Sequence, residues 1–163
     1  QKTAYEIMPS LVGSEMCIRD RKKAKDNPLT REEAREAINL ALEASMIEEA
    51  LELIERSQLS ENERLYHRAR AYLIEDRPFD CLILLSSVDK QQVEDSELLK
   101  ELLYMEGIAG EMVSDFGRAF TSFSTIISKF GDFRDTRSRA NKNYTQFIEG
   151  TSGIKTLTKC GTL

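Results

Sequence analysis

The sequence predicts an all-α chain, and three observations carry that prediction. Two Ser/Thr-x-x-Glu capping boxes, Thr30 with Glu33 and Ser60 with Glu63, stand immediately before apolar runs. Apolar residues then recur three and four apart through most of residues 34–130. No segment alternates apolar and polar residues over a useful strand length.

The first helix opens at Thr30, because Pro28 disfavours an earlier start and Glu33 answers the Thr30 hydroxyl. Ala34, Ala37, Ile38, Ala41 and Leu42 form its apolar face. A second helix carries Ile47, Ala50, Leu51 and Ile54 inward, with Glu48, Glu49, Glu52 and Glu55 outside. Ser60 opens a third, with Leu65, Ala69, Tyr72 and Leu73 inward, and Asp76-Arg77-Pro78 ends it. Phe79 to Val88 reads as a fourth, very apolar helix. Asp95 or Ser96 caps a fifth that carries Leu98, Leu99, Leu102, Leu103, Met105 and Ile108. A sixth spans Phe116 to Phe130, and a seventh runs from about Arg134 to Phe147.

The small residues Ala50, Cys81 and Ala119 share a register, each followed four residues on by Ile54, Leu85 or Phe123. Twelve residues before them stand Ile38, Ala69 and Gly107, with Asn141 continuing the series, so the steps are 31, 38 and 34 residues. The unequal steps place insertions near Pro78 and around Lys90 to Glu94. This pattern resembles the tetratricopeptide repeat, most closely in the third unit: Gly107, Asp115-Phe116-Gly117-Arg118-Ala119 and Phe123. No unit has that family's Trp or closing Pro. The resemblance covers residues 30–148 and implies antiparallel helix-turn-helix pairs stacked as a short right-handed α-solenoid of about 3.5 repeats. The last helix, with Arg134, Arg137, Arg139, Asn141, Lys142 and Asn143, would then be its polar cap.

Three segments are expected: a leader (1–21), the helical repeat domain (22–150) and a loose tail (151–163) rich in Gly, Ser and Thr. The leader contains MPSLVGSEMCIRDR, which resembles translated adapter sequence at the ends of open reading frames from environmental sequencing. On that resemblance it is an artefact in a bacterial chain whose native N-terminus is missing, and no localisation signal can be read from it.

Composition excludes much chemistry. The 163 residues include one His and three Cys, too few for a His-rich metal centre or a closed disulfide framework. A net charge of −5 argues against a nucleic-acid binder, and no apolar run reaches the roughly 18–20 residues of a membrane span. Residues 22–131 carry 14 basic and 22 acidic side chains, a net of −8, whereas residues 132–163 carry six and three, a net of +3. No phosphate loop, dinucleotide fingerprint or nucleophile elbow is present, so no catalytic, cofactor-binding or metal residues are assigned. His67 reads as a surface or groove imidazole, Cys81 as a buried thiol and Cys160 as a free tail thiol.

The tetratricopeptide resemblance implies a ligand groove lined by the first helix of each pair. It would receive Glu32, Arg35, Asn39 and Leu42, then Glu63, Tyr66, Arg70 and Leu73, then Glu101, Tyr104, Ile108 and Glu111. The partner-binding candidates are Arg35, Asn39, Tyr66, Arg70, Leu73, Tyr104, Ile108 and Glu111. Arg35 and Asn39, one turn apart, suit a carboxylate. Tyr66 and Tyr104 offer amphipathic contact area, or else pack between neighbouring first helices. The expected function is non-enzymatic capture of a protein or peptide, without cofactor, metal or nucleic acid. Two alternatives stand beside it: an accessory part of a larger enzyme or assembly machine, and an envelope scaffold self-associating through open repeat faces.

Overall fold

The computed structural model describes residues 29–159, with side chains described as far as residue 150. The leader 1–21, Cys160 and residues 161–163 lie outside the described residues. Seven helices and no strand form among the described residues: α1 (Arg31–Glu43), α2 (Ile47–Arg56), α3 (Glu61–Ile74), α4 (Pro78–Ser86), α5 (Ser96–Met112), α6 (Phe116–Phe130) and α7 (Thr136–Lys159).

Local chemistry sets their starts. Both capping boxes are complete: Thr30 N–H donates to Glu33 Oε2 at 2.9 Å and Ser60 N–H to Glu63 Oε2 at 3.0 Å. Asp95 accepts from the N–H groups of Glu97 and Leu98, and Asp115 from that of Arg118, closing the N-termini of α5 and α6. Pro78 starts α4 in the first helical position, where its missing N–H costs nothing. That helix stops at Ser86, earlier than its apolar composition suggests, and Val88 beyond it remains buried. α7 extends past Phe147 to Lys159, into the segment expected to be loose. Gly150 and Gly153 each weaken a helix by only about 1 kcal/mol, and no proline interrupts the segment.

The same turn recurs three times. Ser45, Asp76 and Ser114 each adopt positive φ, at 57°, 56° and 61°. The residue after each donates back to the helix it leaves: Met46 to Ala41, Arg77 to Tyr72 and Asp115 to Gly110, all at 2.8 Å. These are Schellman closures that satisfy the last carbonyls of α1, α3 and α5. Because the turn at Asp76 matches the others, the extra residues do not lie near Pro78. They lie between α4 and α5, where Val88 and Val93 pin the linker and Lys90 Nζ reaches Leu85 O at 3.1 Å.

Every substantial helix–helix contact joins elements one or two positions apart in the chain. One apolar core, with Ile38, Leu42 and Ile54, lies among α1, α2 and α3. A larger one runs from α3 to α7 around Leu85, Leu102, Phe123 and Ile126. Gly107 on α5 makes room for α6: a Cβ there would stand 2.5 Å from the Phe123 ring. Asn141 does not continue the buried register: it is exposed, and Ala140 is buried instead. Nor is the α7 face simply solvated. Asn143 is fully buried and donates to Glu111 Oε1 at 2.6 Å, and Arg139 pairs with the same carboxylate.

Candidate functional site

Polar side chains bond across alternate helices at similar spacing. Arg31 and Arg35 of α1 both pair with Glu63 at the start of α3, and Arg70 near the end of α3 donates to Asn39 Oδ1 at 2.5 Å. Arg134 and Asp135, just before α7, bond Glu101 and Tyr104 of α5 at 2.6 and 2.7 Å. Early residues meet early and late meet late, so α1 runs parallel to α3, and α5 to α7. Among the described residues no such side-chain bond crosses from α3 to α5.

A cavity of about 700 Å³ runs along these helices, lined by α1, α3 and α5 together with Asp95 and Arg134. Arg35, Asn39, Tyr66, Arg70, Leu73, Tyr104 and Ile108 all line it, as do Glu63 and Glu101. Glu111 does not; it sits further along α5, engaged by Arg139 and Asn143. Leu42, one of the residues expected in the groove, is instead buried in the first core, because it faces α2 and α3. Glu32 is exposed and does not line the cavity.

Arg35 and Asn39 stand in the groove with intramolecular partners. Arg35 Nε donates to Glu63 Oε1 at 2.7 Å and Asn39 accepts from Arg70. Tyr66 has the Arg70 guanidinium 5.6 Å from its ring centroid, and Arg134 stands 4.8 Å from that of Tyr104. Both phenols are pushed above their usual pKa, first by burial. Tyr104 also serves packing, edge-on to Phe123 and Phe133.

Sequence reasoning missed three features here. Of the two places expected for His67, surface or groove, the structure gives the groove, but the side chain is only 3% exposed and its Nδ1 is buried without a hydrogen-bond partner. Burial, then the nearby Arg70 charge, pulls its pKa down to about 4. Glu63 is more than a cap. Burial alone would raise its pKa, but hydrogen bonds from Arg31, Ser60 and Arg35 bring it down to about 2. Arg134 completes the cavity, and its separation from Glu101, close to the repeat step, is the sequence signal that could have found it.

Elsewhere the chemistry is sparse. Glu52 pairs with Arg56 and Glu55 with Arg68 on the outer surface of α2. Cys81 is fully buried, and burial pushes its thiol up to about 12, against nucleophilic use. Among the described residues no group of His, Cys, Asp and Glu is arranged to hold a metal ion, and no helix is long and apolar enough to cross a membrane. Comparison with family models, with curated proteins and with solved structures returns no match.

Proposed function

We propose that α1 to α7 form a short, right-handed, tetratricopeptide-like array whose odd-numbered helices present a groove for a peptide or protein segment, without catalysis. The observation that carries this reading is the cavity between α1, α3 and α5, where Tyr66, Tyr104, Leu73 and Ile108 face a common space. Its mixture of aromatic, aliphatic and charged walls is the chemistry of a recognition surface.

Three regularities support the array. The Schellman turns at Ser45, Asp76 and Ser114 fall at the same 31- and 38-residue steps as the small residues Ala50, Cys81 and Ala119. The bonds between odd-numbered helices span 28 to 33 residues. Contacts restricted to near neighbours are what a one-dimensional stack produces.

Panning a random peptide library on the full chain tests the groove. Selected peptides should lose about tenfold or more in affinity to a Tyr66→Ala/Tyr104→Ala variant whose far-UV spectrum is unchanged. Equal affinity for both proteins would remove the groove from consideration.

A further inference from the structure

Helix α4 carries the two most exposed large hydrophobic side chains among the described residues. Phe79 is 68% exposed and Ile83 72%, and they stand one turn apart on one face of the helix. The chain supplies its own comparison. Cys81 shares a register with Ala50 of α2 and Ala119 of α6, so the positions matching Phe79 and Ile83 are Glu48 and Glu52 on α2, and Gly117 and Thr121 on α6. Neither of those helices places a large apolar side chain at these positions. A contiguous exposed Phe and Ile add little to the packing of their own chain and mark a surface that another molecule covers.

The patch has a hollow beside it. A cleft of about 530 Å³ runs between α4 and the start of α6, with the buried Leu82 and half-buried Val113 among its walls and Phe79 and Ile83 on its α4 side. The only charged residues that line it, Asp115 and Arg118, pair with each other at 3.7 Å. Asp80, next to Phe79, is held by Arg77 at 2.8 Å. The chain carries a net charge of −5, so two copies repel each other at most approaches. This face, with its charges matched from within, adds nothing to that repulsion and offers neither sign to a charged partner.

The exposed area sets the strength of what covers it. An aromatic side chain buries about 150–250 Å², so at 68% exposure Phe79 leaves on the order of 100–170 Å² to be covered, and Ile83 a similar area. With the cleft walls, two copies meeting here would cover roughly 800–1,000 Å² in total, the size of a weak, reversible interface rather than a permanent one.

We propose that this face pairs two copies of the chain about a twofold axis, α4 against α4, in a weak dimer. A twofold interface has to be complementary to itself. This patch holds both the projecting Phe79 and Ile83 and, directly beside them, an apolar hollow, so the Phe79 of each copy enters the cleft of the other. The cleft shares no residue with the groove between α1, α3 and α5, and the pairing does not depend on what that groove takes.

Sedimentation equilibrium of the full chain from about 1 μM to 1 mM tests the pairing, with thiols kept reduced so that neither Cys17 nor Cys160 links two chains. The average mass should climb from 18.6 kDa toward twice that value and stop there, with a midpoint of about 10–100 μM. Phe79→Glu/Ile83→Glu gives α4 the residues that α2 already carries at these positions. With an unchanged far-UV spectrum, it should weaken the dimer about tenfold or more. Should that variant not fold, Ser86→Arg, which fills the cleft from an exposed position, should weaken the dimer in its place. A chain that stays monomeric throughout, leaving the patch to an unrelated partner, overturns the proposal. So does an association that neither variant weakens, or one that grows past two copies.

Discussion

Lowering the pH from about 6.5 to about 4 is expected to destabilise the fold through His67. The imidazole is 3% exposed, and its surroundings bring its pKa from 6.5 down to about 4. Arg70 and Arg35 oppose its protonation, and Glu63 only partly offsets them. Above about pH 6.5 the imidazole is neutral in both the folded and the unfolded chain, so it contributes nothing to pH dependence there. Between about pH 6.5 and 4 the unfolded chain takes up a proton that the folded chain refuses, and stability falls as pH falls. At 1.36 kcal/mol per pH unit the loss approaches about 3 kcal/mol, a large part of the roughly 5–15 kcal/mol that holds a domain together. Urea unfolding followed by far-UV dichroism across this window should show that loss in the unaltered chain. In His67→Gln, which cannot titrate, the loss should be reduced by about the same amount. Because the chain has a single His, its proton NMR titration reports the site without ambiguity. A midpoint near 6.5, or identical pH slopes for the two proteins, would refute the reasoning.

Three further substitutions probe the packing and a turn. Gly107→Ala puts a Cβ 2.5 Å from the ring of Phe123, itself fully buried, and should cost about 1–3 kcal/mol despite a better helix former. Gly150→Ala, with nothing within 4 Å, is the control and should be neutral or stabilising in the same urea series. Ser114→Gly relieves a positive φ of 61° and should stabilise by about 0.5 kcal/mol, the left-handed cost less the entropy of glycine. A lower thermal midpoint for that variant would count against the turn geometry.

The starts of the helices were legible in the sequence because a capping box acts over three residues and an apolar face repeats every three or four. Thr30, Ser60 and Asp95 therefore announce their helices without reference to the rest of the chain. Seven of the eight candidate residues line the cavity, since residues spaced along the first helix of each pair share a face. The ends of α4 and α7 were less legible: α4 stops at Ser86 with no glycine or proline to mark it, and α7 runs on through Gly150 and Gly153.

By itself, then, the sequence determined the helical class and the shared register of Ala50, Cys81 and Ala119, all fully buried. Only the tertiary structure decided which polar side chains remain available. Glu63, His67 and Ala71 form a buried stripe on α3 that a hydrophobicity reading passes over, because two of its three members are polar. Whether a charge such as Arg35 or Arg70 is neutralised depends on partners 28 and 31 residues away. That distance lies beyond any local pattern.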